Sequence, residues 1–587
     1  MQTIKKWVVR SAVTLDKVEQ LATTLRLEPP LAALLYQRGV TTVSQAEKFF
    51  APSLQDLHDP FLMLDMNVAI DRIDRALDNG ERIMLYGDYD VDGTSAVSLL
   101  YNFFSTYSKD IMFYIPDRYA EGYGISHRGI DYAADNGVKL IITVDCGIKA
   151  TEEVAYAAKH GVDFIVTDHH LPDEILPPAV AVLDPKRVNC HYPFKELSGC
   201  GVAFKLVQAY CAHKGVPVDQ IAYLLDLVVV SIAADIVPLV DENRVMGYFG
   251  LEQLNSDKAN KGLSAIIKIC GLERHKMLIE DIVFKIGPRI NATGRMEIDI
   301  DHNDPRAQSG GRNAVRLLTA PTKDRALFYV NRIEEFNRLR KEADRVITSE
   351  ARMLLENDPT AATKKSTIIF NPAWMKGVVG IVASRLIETY YRPTVVLTES
   401  NGFITGSARS VPGFDLYEAV ESCADLLENF GGHTYATGLT MKPEKLDAFC
   451  ARFEAYVDKH IALNDLVQQI DIDMEVPLAD ITPALRRSLD RFAPFGPGNP
   501  APVFLSRGLS DNGTARLVGG KGEHLKLALT DGITPSIGAI AFSQVELFPH
   551  IQAGGHVDVC YTVSDNVFQG IVSPQLRIKD MVESEQY

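Results

Sequence analysis

The chain has 587 residues, 46% hydrophobic and 23% charged, with a formal net charge of −16. That length exceeds what one hydrophobic core organises and predicts three or four domains, and the composition is that of a globular protein, not a disordered or fibrous one. The acidic balance argues against a protein that coats nucleic acid with basic charge. The most apolar long stretch, Leu224–Val240, is interrupted by Asp226 and Asp235 and is too short for a membrane span. The opening MQTIKKWVVR has no apolar signal core. The eight cysteines form no C-x-x-C pair, which predicts neither a zinc ribbon nor a disulfide framework but a reducing, cytoplasmic setting.

Residues 1 to about 60 read as mostly helical, ending in a loop with Pro52 and Pro60, and carry no visible chemistry. Met66–Leu77 has helical spacing and stops at Asn79-Gly80. The apolar run Ile83–Tyr86 then reads as a strand, followed by Asp88-Tyr-Asp-Val-Asp-Gly93 and a helix from Thr94 to about Phe104. The bland reading is a turn whose acids cap the helix. Three carboxylates at alternate positions would repel one another if they converged without a cation, so the cluster points to a metal. An EF-hand loop also begins D-x-D-x-D-G but needs Glu at its twelfth position, where this chain has Leu99.

From Arg82 onward strands and helices alternate, which predicts parallel βαβ units. Lys139–Val144 is a buried strand ending at Asp145-Cys146-Gly147, and Asp163–Thr167 another ending at Asp168-His169-His170. Asp235 closes the apolar segment 224–234. Sites in parallel sheets lie at the carboxyl ends of strands. Carboxylates with one or two imidazoles suit Mn²⁺ or Mg²⁺ better than zinc. A metal pair about 3.5–4 Å apart is the usual device for phosphoester hydrolysis. Cys146 as a nucleophile is the weaker alternative, since the metal reading already supplies a hydrolytic water. Tyr119–Gly124 reads as an aromatic turn near the site, and His127 as an ordinary loop histidine. Ser198-Gly199-Cys200-Gly201 opens a helix and reads equally as an anion site or a close-packed turn.

Lys285–Met296 (KIGPRINATGRM) has little periodicity and reads as a loop in which Arg289, Asn291 and Arg295 can hold phosphate oxygens. From Lys285 to Arg345 there are 13 Lys and Arg against 9 Asp and Glu, a weak basic signal that a solvated helix face explains equally well. Apolar residues from Leu327 to Ala351 recur at helical spacing after Pro321. This predicts one helix of about 36 residues, roughly 54 Å long, as a strut between two lobes. A second lobe follows, with Gly377–Gly380 before a helix, a strand at 394–397, the turn Ser400-Asn401-Gly402, then Gly406–Ser410 and Gly431-Gly432-His433. After about residue 465 a Pro- and Gly-rich stretch, 492–500, precedes five short strand-like runs at 515–518, 525–529, 536–542, 557–563 and 575–581. That pattern predicts a small barrel of OB type.

The motifs G-D-Y-D-V-D-G, V-D-C-G, T-D-H-H and A-A-D-I-V-P-L, in this order and spacing, resemble the DHH phosphoesterase superfamily and, within it, the RecJ family of single-strand-specific 5′→3′ DNA exonucleases. The resemblance covers nearly the whole chain. It implies metal-ligand roles for Asp90, Asp92, Asp145, His169 and Asp235, with Asp88, Asp168 and His170 in or beside the metal shell, and His170 among the catalytic groups. Many relatives have His where this chain has Tyr86. The second lobe resembles the DHHA1 domain, which makes Ser407, Arg409, Gly431, Gly432 and His433 substrate-binding candidates beside Arg289, Asn291 and Arg295. His433 also reads as a metal ligand or a surface turn residue.

The expectation is therefore an α/β protein. An N-terminal helical segment (1–60) precedes a parallel-sheet DHH catalytic domain (61–320). A connecting helix (321–358) leads to an α/β DHHA1 domain (359–464), and an OB-like barrel (465–587) contributes nucleic-acid binding. The resemblance implies stepwise 5′→3′ hydrolysis of single-stranded DNA to mononucleotides in DNA recombination and repair, with two Mn²⁺ or Mg²⁺ ions. It implies single-stranded DNA as partner, a single-strand-binding protein and a helicase as further partners, and no membrane. The rivals are another DHH enzyme, acting on pyrophosphate, cyclic dinucleotides or short oligonucleotides, and a non-catalytic DNA scaffold. The first needs no barrel after residue 465, and the second is expected to lose motif acids that are all present here.

Overall fold

The computed structural model describes residues 5–10, 15–296, 310–568 and 571–585. It forms two compact units, Leu54–Leu466, and Met1–Ser53 together with Val467–Tyr587. Part of the basic stretch 285–345 lies outside the described residues.

The larger unit begins with five strands, β1 (Arg82–Gly87), β2 (Ile111–Tyr114), β3 (Val138–Val144), β4 (Asp163–Thr167) and β5 (Ala181–Leu183), in the all-parallel order β2-β1-β3-β4-β5. Their apolar runs are buried on both faces, as a parallel sheet covered by helices requires. Helices α1 (Val91–Phe104), α2 (Gly199–His213) and α3 (Leu225–Ala234) pack in one core with Leu85, Ile142 and Ile165. The apolar run before Asp235 is thus a helix, so this acid reaches the site from a helix end while the others come from strand ends.

The stretch expected as a loop at 285–296 is largely helical. A π-turn, Ile282–Ile286, leads into α4 (Gly287–Thr293). Pro288 is tolerated because it falls in the first turn, and burial of Ile286, Ile290 and Ala292 supplies the helical face that the polar composition obscured. The strut is α5 (Lys323–Asn357), 35 residues capped by the Thr322 hydroxyl accepting from the Arg325 N–H.

The second lobe contains β6 (Thr367–Phe370), α6 (Val379–Tyr390), β7 (Thr394–Ser400), β8 (Phe403–Arg409), β9 (Asn429–His433) and β10 (Ala436–Met441), with sheet order β9-β10-β8-β7-β6. Asn401 and Gly402, both at positive φ, turn the β7–β8 hairpin. Gly431–His433 is the end of strand β9, paired with β10, and not a loop.

In the smaller unit, strands Phe504–Asp511, His524–Thr530, Ile537–Phe542, Ile571–Glu583 and Val557–Phe568 pair in succession, and the last pairs again with the first. Phe504–Asp511 was not among the five expected runs. The N-terminal segment is not purely helical. Strand Lys6–Val9 pairs in parallel with Gln469–Ile472, and three helices pack on the barrel core, with Phe49 and Phe50 edge-on to Phe492.

Candidate metal centre

The acidic loop is fixed by its own geometry. The Asp90 carboxylate caps α1, accepting from the Gly93 N–H at 3.0 Å. A Cβ on Gly93 would lie 2.6 Å from the Asp88 carbonyl, so the turn requires glycine. Asn291 of α4 braces the loop by accepting the Val91 N–H at 3.1 Å. Asp88 is 1% exposed, and its Oδ1 has no hydrogen-bond partner among the described residues.

Asp92 is held from the opposite side. It accepts the Gly199 and Cys200 N–H groups at the start of α2, both at 2.7 Å, and the Ser231 hydroxyl of α3 at 2.7 Å. The glycine-rich helix start thus binds an anion of its own chain, and packs closely too. A Cβ on Gly199 would sit 2.6 Å from the Asp145 side chain.

Asp145 follows β3 with φ +59° and is buried, its Oδ1 3.1 Å from His169 Nε2. His169 Nδ1 lies 3.0 Å from the Leu197 carbonyl, which fixes that nitrogen as the N–H donor and leaves Nε2 with its lone pair. Nε2 also lies 3.9 Å from Asp92 Oδ2 and 3.7 Å from Asp235 Oδ2. Asp168 is saturated by donors. It accepts the backbone N–H groups of Ile148, His169 and His170, and its Oδ1 lies 2.7 Å from His170 Nδ1. Asp168 therefore shapes the loop and orients His170.

Three groups with ligand atoms mutually within 4.8 Å emerge among the described residues: Asp88, Asp90 and Asp145; Asp92, His169 and Asp235; and Asp145, His169 and His170. Asp168, expected in or beside the shell, belongs to none of them. The charges show what the site lacks. Burial raises Asp88, Asp90 and Asp145 above the ordinary carboxylate range, and neighbouring carboxylates add to it. Burial, Asp92 and Asp90 push Asp235 up to about 8. Asp235 also ends α3, where the helix dipole disfavours an anion. Burial lowers His169 to about 4, which keeps it neutral. Against the opposing effect of burial, Asp168 raises His170 to about 9 and is itself held at about 2, chiefly by His170. Converging carboxylates, an unpartnered carboxylate oxygen and a neutral imidazole form a donor set that fits hard divalent cations. Cys146 is fully enclosed, and burial with Asp168 and Asp88 raises its thiol, so it is no nucleophile. Tyr86 is engaged by the 124–129 segment. Its hydroxyl donates to the Gly124 carbonyl, and Gly129 packs on its ring.

Beside the Asp90 side of the centre stands an arginine cluster. Burial, Arg118, Arg409 and Arg340 lower Arg295 to about 9, and burial with Arg118 lowers Arg409. Arg409 donates to the Ser407 hydroxyl at 2.6 Å, and its guanidinium lies close to Gly380 near the start of α6. Crowded guanidinium groups call for an anion. Arg118, stacked over the Tyr89 ring at 4.9 Å, was missed in the sequence, although it immediately precedes the aromatic loop. Tyr123, in the aromatic turn expected near the site, is an exposed ring whose hydroxyl lies 3.4 Å from both the Asp145 carbonyl and His170 Nε2. Arg289 is instead engaged by an acid, with its Nε donating to Glu334 of α5 at 2.7 Å and another nitrogen to the Lys285 carbonyl. Gly432, at φ +151°, allows the hairpin to close tightly, and the adjacent His433 ring stacks parallel to His170 at 6.0 Å.

Three family models match this chain, the DHH family N-terminal domain at residues 82–232, the DHHA1 domain at 364–459 and the RecJ OB domain at 472–580. The single-stranded-DNA-specific exonuclease RecJ of Bacillus subtilis is 36% identical over 574 residues, covering 97% of this chain and 70% of that one. The chain belongs to the RecJ family. Crystal structures of Thermus thermophilus RecJ superpose on it with TM-scores of 0.83 for the Mn²⁺ complex and 0.77 for the Mg²⁺ complex, at 28% and 27% identity. Each covers 99% of this chain, which in turn spans 80% and 79% of the two RecJ chains.

Proposed function

We propose that the chain is an exonuclease that hydrolyses single-stranded DNA from its 5′ end to mononucleotides, using two Mn²⁺ or Mg²⁺ ions. The observation that carries this is the pair of ligand groups joined through Asp145 and His169, set beside the arginine cluster. Asp88, Asp90 and Asp145 would hold one ion, and Asp92, His169 and Asp235 the other. Bound there, the ions supply Lewis-acid charge and a water of lowered pKa. The chain's own residues do the rest. Asn291 and the α2 amides fix the acids. The Leu197 carbonyl fixes the His169 tautomer, so that Nε2 faces the centre. Asp168 keeps His170 protonated, and that imidazolium can stabilise negative charge on the scissile phosphate or give its proton to the departing oxygen. Arg118, Arg295, Arg409 and Ser407 take the terminal phosphate, which carries more negative charge than an internal diester. That difference selects an end, and Tyr123 offers its ring to the terminal base.

The family's activity and the barrel favour DNA over the small substrates of other DHH enzymes, and the retained acids argue against a non-catalytic scaffold. We assign catalysis to 61–464, with 321–358 as strut, and further strand binding to 465–587. No helix among the described residues is long and apolar enough to cross a membrane. A cytoplasmic setting, with a helicase and a single-strand-binding protein supplying open strands, fits this activity. The test is incubation with 5′- and 3′-labelled single strands, with and without Mn²⁺ or Mg²⁺. The 5′ label should appear at once as mononucleotide, and only with metal. Early release of the 3′ label, or metal-independent cleavage, would overturn the reading.

A further inference from the structure

Beside the centre, a cavity of about 510 Å³ is lined by Leu171, Lys186, Val188, Lys195, Glu196 and His433, among others. It is an open cleft, and its volume falls in the range of clefts that take one small ligand. The loop that carries its cations is tied down by hydrogen bonds. The Lys186 N–H donates to Asp184 Oδ1 at 2.7 Å, and the Lys195 ammonium to the Cys190 carbonyl at 2.8 Å. The nearest acid to the Lys186 ammonium is Glu196 at 3.8 Å, too far for a strong hydrogen bond. Arg187, in contrast, is committed to Asp65 and the Val182 carbonyl. His433, which lines the cavity, stacks on His170 at 6.0 Å, so the cavity adjoins the metal centre. Val188 is fully exposed and Leu171 59% exposed, so the cavity offers bare apolar surface beside its ammonium groups.

A strand whose terminal phosphate sat among the arginines and whose first diester lay at the metals would pass His170 and meet His433, which stacks on it and lines the cavity. We propose that this cavity is the subsite for the nucleotide that follows the scissile diester, with Lys186 holding that nucleotide's 3′ phosphate and Leu171 and Val188 lying against its base. The proposal rests on the exonuclease reading and adds a binding determinant to it.

The test compares two dinucleotides with the full-length protein and saturating Mn²⁺. One is 5′-phosphorylated with a free 3′ hydroxyl, and the other carries an additional 3′ phosphate. The wild type should hydrolyse the second with a KM about tenfold lower, the scale of one charge-assisted phosphate contact. Lys186→Gln should raise KM for that substrate about tenfold with kcat nearly unchanged, and should leave the first substrate almost unaffected. Val188→Glu, which replaces the apolar contact to the base by an anion, should raise KM for both substrates, and more for the one that carries the 3′ phosphate. A wild type that does not distinguish the two substrates, or variants that shift both equally, would overturn the subsite while leaving the exonuclease reading intact. Relief of inhibition by free mononucleotide in Lys186→Gln, with the substrate ratio unchanged, would mark a product site and equally overturn it. Failure of the wild type to release the 5′ nucleotide from either substrate would sink both.

Discussion

The Asp145 carboxylate lies 3.1 Å from His169 Nε2, and through this contact the two ligand groups of the centre become one site. Asp145 is the acid on which the other carboxylates act most widely, with Asp92, Asp90, Asp235 and Asp88 all raising it after burial has done so. Removing it should therefore separate function from stability. Asp145→Ala should lose more than the roughly hundredfold that removal of an outer partner of a metal ligand costs. In EDTA, thermal melting of the variant should match or exceed that of the wild type, because a repelled buried carboxylate has gone. Substantial activity at saturating Mn²⁺, or a collapse of melting temperature in EDTA, would show that Asp145 acts in some other way.

Asp168 presents the opposite case, since its carboxylate takes three backbone N–H groups and the His170 ring nitrogen. Asp168→Asn keeps the shape but loses the charge that holds His170 protonated. Activity should fall by about 10- to 100-fold, the range for partners that orient a metal shell. The fold should lose about 1–3 kcal/mol, as donors of a buried network become poorly paired. Denaturant unfolding and Mn²⁺ titration measure the two effects, and an unchanged rate would remove Asp168 from the catalytic apparatus.

The arginines divide into two kinds. Arg289 pairs with Glu334, which is one-third exposed, so Arg289→Ala should cost about 1 kcal/mol of stability and leave the salt dependence of DNA binding unchanged. Arg409, crowded by Arg118 beside Ser407, should behave in the reverse way. Arg409→Ala should raise KM about ten- to a hundredfold for strands with a 5′ phosphate, and much less for strands with a 5′ hydroxyl. Equal losses on both strands would show that Arg409 grips the chain generally and does not read its end.

Much of this was legible in the sequence because motif and geometry coincide. Asp88–Gly93 follows a buried apolar run and precedes a helical one, and the fold keeps that order. What periodicity could not give was the third dimension. Arg289 and Arg295 lie six positions apart, yet one turns to α5 and the other to the arginine cluster. The helix at Gly287–Thr293 was hidden because its buried face is short and its N-terminus contains Gly and Pro. Arg118 carries no motif, and its place depends on packing over Tyr89. The N-terminal helices read as a separate segment because their partner, the barrel with Phe492, lies more than 400 residues away in the chain.

The barrel offers one further site to test. Cross-strand pairing places Arg516 beside Lys526, Lys526 beside Ile540, and Ile540 beside Arg577, and the Arg577 guanidinium lies over the half-exposed ring of Phe542 at 5.6 Å. His524 meets the same ring edge-on. In a chain with a net charge of −16, this row of cations around an aromatic ring is a local exception, and it has the composition of a single-strand platform. A base stacked on such a ring contributes roughly 1–3 kcal/mol. Phe542→Ala should therefore weaken binding of a 30-mer by about 5- to 150-fold, and Lys526→Ala should lower the salt slope by about one unit. Hydrolysis of a tetramer too short to reach a second platform should be unchanged in both variants. Comparing kcat/KM on the two lengths separates the outcomes. A loss confined to the 30-mer places DNA on this face of the barrel. An equal loss on both lengths means that Phe542 supports the barrel's fold, and no loss on either length means that the strand is held by a different face.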